Sequence, residues 1–210
     1  MKFCTSISLK IFFALLLSVM ILNNTAFAEP PGKDTGTGTY EKYSFITESG
    51  AIIGAGTGSI PEGNYQPILL IWHLASDLKN YVAPLKNHRG TLAVICEPQF
   101  NPVVNPKTDI EFGVGIGLKY MYPLTDKISP YIMGSVGPHY ISVQTDKQAS
   151  GFIFADTIGA GLYYFLDKKS ALNIGYRFRH VSNADLKSPN GGIDTQIGTC
   201  LLYTSDAADE

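Results

Sequence analysis

The chain has 210 residues and a net charge of −2, so its length predicts one domain and its charge offers no basic field for nucleic acid. Its 3 cysteines are too few for a disulfide framework and lack the spacing of a metal site. The 21 glycines, 12 tyrosines and 11 phenylalanines favour a β protein over a helical one.

The first 28 residues have the features of a secretory signal peptide. Lys2 and Lys10 supply positive charge, residues 11–22 are apolar, and residues 26–28 (Ala-Phe-Ala) form a small-x-small cleavage pattern. The apolar segment is shorter than the roughly 20 residues of a membrane helix, and no longer apolar segment follows it. The sequence therefore predicts export, and we expect any insertion into a membrane to be by strands.

From residue 29 to residue 199, segments with the two-residue period of β-strands alternate with polar, Pro- and Gly-containing segments. The pattern predicts seven strands and the start of an eighth at Asp194. The seven predicted strands are residues 40–58, 65–74, 91–100, 109–122, 131–141, 151–165 and 172–182.

The predicted fourth strand, residues 109–122, alternates most regularly. One face carries apolar residues and ends in tyrosines, and the other carries glycines and charged residues. This pattern is typical of a transmembrane barrel strand with an aromatic girdle. We therefore predict an all-β fold, an eight-stranded antiparallel up-and-down transmembrane β-barrel over residues 29–199. With both termini in the periplasm, the seventh strand ends at the cell surface.

Charged residues on the inward faces are expected to form a network that stiffens the barrel lumen: Glu97, Glu111, Lys119, Arg177 and Arg179. Three scattered histidines are interpreted as interface or loop residues: His73, His88 and His139.

Residues 200–210 depart from the strand pattern. The string CLLYTSDAADE becomes acidic and resembles translated sequencing-adapter read-through, so we interpret it as a non-native tail. On this interpretation the last strand is truncated, and the barrel keeps an unpaired edge.

The segment 172–194 carries the candidate chemistry. Its apolar face ends in His180 and Ser182, which are two residues apart and therefore leave the strand on the same side. A serine needs such a base to become nucleophilic, and the base needs a third group that fixes its tautomer. Asp194 begins the neighbouring strand and can supply that group.

These residues resemble the lipid A 3-O-deacylases of the PagL type. The similarity lies in His180-Val181-Ser182-Asn183-Ala184-Asp185, Pro189-Asn190 and Gly192-Ile193-Asp194. The resemblance implies an outer-membrane barrel with a Ser-His-acid site on its lipid-facing surface. It assigns His180 as the base, Ser182 as the nucleophile and Asp194 as the orienting acid. It also places Asn183 on the oxyanion side. The acid of the best-known members is glutamate, which is one methylene longer than Asp194.

Strand pairing identifies a second candidate acid. A tight turn near Lys168 places Asp156 opposite His180 in an antiparallel ladder, on a face shared with apolar residues. Asp156 is then a supporting acid for His180 or a group that positions substrate. The alternative is a one-residue bulge that turns Asp156 into the lumen.

We interpret the chain as an outer-membrane serine esterase that removes the 3-hydroxyacyl chain from the 3 position of lipid A. Its expected partners are lipopolysaccharide and the outer membrane, without nucleic acid, metal or cofactor, and a homodimer is left open. Two alternatives are a non-enzymatic barrel, such as an adhesin or structural protein, and a lipid A acyltransferase.

Overall fold

A computed structural model describes residues 45–167 and 170–204 of the chain. In these residues eight β-strands form one closed antiparallel barrel, in which each strand pairs with its neighbours in the chain and β8 pairs with β1. The strands are β1 (Glu48–Ile60), β2 (Gly63–Asp77), β3 (Thr91–Asn105), β4 (Asp109–Met121), β5 (Ile128–Ile141), β6 (Gly151–Phe165), β7 (Ser170–Ser182) and β8 (Ile193–Thr204). The predicted barrel is confirmed. The predicted signal peptide lies outside the described residues.

The start of β1 and the end of β8 differ from the prediction. Strand β1 begins at Glu48 rather than at residue 40, and β8 continues past Thr199 to Thr204. Residues 200–204 pair with β7 on one side and with β1 on the other, so the barrel has no open edge there. The expectation of a truncated last strand is therefore wrong for the described residues. The strand continues because Leu201 still alternates inward, where it is buried in the lumen.

Apolar side chains cover the outside of the barrel. Ile132, Ile158 and Ile174, on three different strands, each expose more than 60% of their surface. Such a continuous exposed apolar face would be an aggregation hazard in water, but it is the face that a barrel presents to lipid. In the described part of the chain, no helix is long and apolar enough to cross a membrane.

Ion pairs and apolar side chains fill the lumen. Arg177 contacts both carboxylate oxygens of Glu97 at 2.6 and 2.9 Å, and Arg179 contacts both oxygens of Glu111 at 2.5 and 3.1 Å. Lys119 pairs with Glu48. The predicted lumen network is thus confirmed, and its fork-shaped pairs hold β7 rigidly against β3 and β4.

Two histidines belong to this lumen rather than to an interface or loop. His73 is 2% exposed and its Nδ1 lies 2.7 Å from Glu97, while His139 is 3% exposed. Their interpretation as interface or loop residues is wrong. His88 does lie in the β2–β3 loop, where it contacts Gly90.

Candidate active site

Three neighbouring strands bring the candidate residues together on the outer face. His180 of β7 lies directly opposite Asp156 of β6 and directly opposite Asp194 of β8. The side of β7 that carries His180 also carries Ile174, Tyr176 and Phe178, all exposed. The histidine and both carboxylates therefore lie on the lipid-facing surface, at the end of β7 where the chain enters the β7–β8 loop.

His180 and Asp194 are joined by a short hydrogen bond. The Nδ1 atom of His180 is 2.7 Å from Oδ1 of Asp194. The shorter aspartate side chain is sufficient here because direct cross-strand pairing brings the two residues close. A carboxylate at Nδ1 fixes the tautomer in which Nε2 is a free acceptor, which is the form that a general base requires.

Ser182 is the last residue of β7, two positions after His180 on the same face. It is half-buried and lies opposite the exposed Phe154 of β6. Within the described residues no hydrogen bond joins the Ser182 hydroxyl to His180. A serine hydroxyl rotates freely about one torsion, and contacts between nucleophile and base commonly tighten only when substrate binds.

Gly192 fits tightly against the His180 ring. Its φ is +66°, and a Cβ placed there would lie 2.4 Å from Cε1 and 2.9 Å from Nε2 of His180. The side chain of any other residue at position 192 would thus displace the Cε1–Nε2 edge of the His180 ring. Gly192 was not predicted as a site residue, although it belongs to the segment Gly192-Ile193-Asp194 that carries the family resemblance.

Asn183 begins the β7–β8 loop, and its side chain points into that loop. It is 1% exposed, its Nδ2 donates to the carbonyl of Lys187 at 2.6 Å, and its backbone N–H donates to Oδ1 of Asn190 at 2.8 Å. Asn190 in turn donates to Asp185 at 2.8 Å. The structure thus places Asn183 next to Ser182, with its side chain bonded inside the loop.

A second loop supports the β7–β8 loop. Residues 142–150, between β5 and β6, pair with it through the bridge of Gln148 with Asn190. The N–H of Ala149 donates to the carbonyl of Pro189 at 2.8 Å, and that of Gly191 to Lys147 at 2.6 Å. This contact could not be predicted from the sequence, because it joins two irregular segments with no periodicity.

Asp156 lies on the outer face as predicted from the turn near Lys168. The ladder between β6 and β7 is continuous from Phe154 to Phe165, so the alternative of a bulge is wrong. Asp156 is exposed, and its strand neighbours Phe154 and Ile158 are exposed apolar residues. The site thus carries two carboxylates, one on either side of His180.

Comparison with known proteins identifies the family. A family model described as lipid A 3-O-deacylase (PagL) matches residues 71–199, which include every candidate site residue. The chain belongs to the PagL family. A lipid A deacylase PagL of Pseudomonas aeruginosa is 37% identical over 73 residues, a segment that covers 33% of this chain and 40% of that relative.

Solved structures match the barrel. The crystal structure of the outer-membrane enzyme PagL has a TM-score of 0.53 and 22% identity, with 71% of this chain and 97% of the other covered. The crystal structure of Neisserial surface protein A has a TM-score of 0.55 and 10% identity, with 77% of this chain and 97% of the other covered. These structures share the fold, and with the PagL family model they identify an outer-membrane β-barrel protein.

Proposed function

We propose that this protein hydrolyses the ester that joins a 3-hydroxyacyl chain to the 3 position of lipid A. The observation that carries the proposal is the hydrogen-bonded pair His180–Asp194, with Ser182 two residues from the histidine on the lipid-facing wall. A substrate buried in the membrane reaches that wall by lateral diffusion. A site inside the lumen would be closed to it, because ion-paired and apolar side chains fill that space.

In the first half of the reaction, the Ser182 hydroxyl attacks the ester carbonyl carbon while Nε2 of His180 takes its proton. The tetrahedral intermediate collapses by breaking the bond to the 3-oxygen of the sugar. His180 returns the proton to that oxygen, which leaves as a hydroxyl. The acyl chain remains on Ser182 as an ester.

In the second half, a water molecule attacks the acyl-serine carbonyl and His180 takes one of its protons. The bond to the serine oxygen breaks, and Ser182 recovers its proton from His180. The products are a 3-hydroxy fatty acid and lipid A with a free 3-hydroxyl. Asp194 keeps its hydrogen bond to Nδ1 throughout and stabilises the imidazolium that forms twice in the cycle.

The negative charge on the carbonyl oxygen needs hydrogen-bond donors. Asn183 is the sequence-predicted residue, and one of its two amide hydrogens is engaged with Lys187. The loop offers two backbone donors as well. Ala184 and Asp185 both have left-handed backbones, with φ of 51° and 61°, and their N–H groups bond no other described residue. Strained non-glycine residues of this kind are a mark of functional loops. We propose that Asn183 braces the loop so that these donors face the oxyanion.

The test is a mass spectrum of lipid A from Gram-negative cells that produce this protein or its Ser182→Ala variant. We expect the wild type to remove one 3-hydroxyacyl chain and the variant to remove none. Heat-modifiable gel mobility shows whether each barrel is folded. A folded wild-type protein that leaves lipid A unchanged would overturn the proposal and favour a non-enzymatic barrel. A gain in acyl mass would favour the acyltransferase.

A further inference from the structure

A groove leads away from the candidate active site along the outer wall. It has a volume of about 630 Å³ and crosses from β7 over β6 and β5 to β4. Cross-strand pairing defines its two rows. One row contains His180, Asp156, Val136 and Ile116, and the next contains Phe178, Ile158, Gly134 and Leu118.

The absence of a side chain at Gly134 creates the part of this groove that lies on β5. It occupies an outward-facing position of β5 between Ile132 and Val136, both more than half exposed. A Cβ at Gly134 would come no nearer than 3.9 Å to any neighbouring atom, so the space above it is open. From standard strand spacings, Gly134 lies roughly 12 Å from His180, two strands across and one row along. A medium-length acyl chain that starts at the ester carbonyl would cover that distance.

Asp156 is the acidic residue of this mostly apolar groove, and it lies at the end nearest His180. It is not needed to orient the histidine, because Asp194 already occupies Nδ1 at 2.7 Å. If Asp156 bound Nε2, it would compete with Ser182 for the atom that must accept the proton. Its position therefore suits a contact with substrate.

The proposed substrate carries a group that fits this carboxylate. A 3-hydroxyacyl chain has a hydroxyl two carbons from the ester carbonyl, at the start of its apolar tail. Directly opposed residues of an antiparallel pair have Cβ atoms about 5 Å apart, so Asp156 is within reach of a substrate held beside His180. A hydrogen bond from a hydroxyl to a charged carboxylate is about twice as strong as one to a neutral acceptor.

We infer that the groove holds the acyl chain that is cleaved, and that Asp156 selects 3-hydroxylated chains by accepting a hydrogen bond from the 3-hydroxyl. This inference rests on the proposed function and adds the basis of its acyl selectivity. Gly134 provides the room for the tail. The site thus recognises the chain at two points, a polar one beside the carbonyl and an apolar one further along the wall.

The first experiment uses the full chain in detergent micelles with two nitrophenyl esters, 3-hydroxydecanoate and decanoate. We expect the wild type to prefer the hydroxylated ester by about tenfold or more in kcat/KM, the effect of a hydrogen bond to a charged acceptor. Asp156→Leu should bring the ratio close to one by slowing the hydroxylated ester. Asp156→Asn keeps an acceptor oxygen and should retain part of the preference.

An equal loss for both esters in Asp156→Leu would overturn the inference and make Asp156 a support for His180. Unchanged rates for both would also overturn it. Failure of the proposed function looks different. In that case the wild type cleaves neither ester, or Ser182→Ala cleaves them as fast as the wild type does.

The second experiment tests the groove with decanoate and butyrate esters. Gly134→Leu should lower kcat/KM for decanoate at least tenfold more than for butyrate, because the added side chain fills the space of the tail. Gly198→Leu is the matched control, since Gly198 is also an exposed glycine on the outer wall with open space around it and lies outside the groove. Equal effects of Gly134→Leu on both esters would contradict a groove that holds the chain.

Discussion

His180 and Asp194 face each other across β7 and β8, and their side chains meet at 2.7 Å between Nδ1 and Oδ1. The pair is positioned by two strands of the barrel rather than by the loop between them. Both side chains are partly exposed, at 39% and 56%. The contact therefore depends on the register of the ladder.

Asp194→Asn should lower kcat for ester hydrolysis by about 10²- to 10⁴-fold, with little change in KM. The asparagine retains the size of the side chain, but its amide can donate to Nδ1 and favour the tautomer with a proton on Nε2. That tautomer cannot accept the serine proton. The measurement is steady-state release of 3-hydroxy fatty acid from lipid A in mixed micelles.

Asp194→Glu is the matched control for this change. It keeps the negative charge, and glutamate is the acid that the resemblance to the family leads us to expect. We expect activity within about tenfold of the wild type, because exposed positions leave the longer side chain free to adjust its rotamer. If Asp194→Asn were as active as Asp194→Glu, the carboxylate would have no role in orienting His180.

Gly192→Ala should reduce kcat while leaving the barrel folded. The added Cβ would lie 2.4 Å from Cε1 of His180, so the ring must turn away from Ser182 or the loop must shift. Gly63→Ala controls for the strain of a positive φ, since Gly63 has φ +125° and open space around it at the β1–β2 turn. Full activity in Gly192→Ala would show that the ring contact does not set the imidazole orientation.

The sequence predicted the barrel well because lipid imposes a simple rule. Along β4, successive residues alternately face the lipid and the lumen. Ile116 follows this rule on the lipid side and Glu111 on the lumen side. The same period of two placed Asp156 opposite His180, because a tight turn fixes the register of the strands that it joins. These are short-range relations, and a single sequence contains them.

The errors came from contacts between distant parts of the chain and from the position of a strand end. His73 appeared isolated in the sequence, but its partners Glu48 and Glu97 lie on other strands and approach only when the barrel closes. The end of β8 was misjudged because the acidic residues that follow it dominated the pattern. The loop contacts of Asn183 with Lys187 and Asn190 also have no sequence signature, and its place on the oxyanion side stays a prediction.

Asn183→Ala should lower kcat by about 10²- to 10³-fold, the range found for loss of one oxyanion-hole donor. If Asn183 acts as a brace, removing its bond to the Lys187 carbonyl also loosens the loop. Lys187 is exposed, so limited trypsin cleavage after it should become faster in the variant. Loss of activity with unchanged cleavage would mean that the side chain contacts the oxyanion directly. Unchanged kcat would remove Asn183 from the site.

The lumen pair of Arg179 and Glu111 should control barrel stability. Both are at most 1% exposed, and Tyr65 and Asn101 add hydrogen bonds to Glu111 at 2.7 and 2.8 Å. Arg179→Met leaves a buried carboxylate without its cation, which typically costs about 3–5 kcal/mol of unfolding free energy.

Adding Glu111→Gln to Arg179→Met removes the unpaired charge and keeps one of the two acceptor oxygens, to which Tyr65 and Asn101 donate separately. We therefore expect the double variant to regain part of the loss but not all of it, because the two charge-assisted hydrogen bonds from Arg179 stay absent and one of the bonds to residue 111 loses its acceptor. Urea unfolding in lipid vesicles, followed by tryptophan fluorescence of Trp72 on the outer wall, measures all three proteins. A double variant less stable than Arg179→Met would mean that the Glu111 carboxylate is stabilised by its hydrogen bonds alone, and that Arg179 contributes mainly by packing.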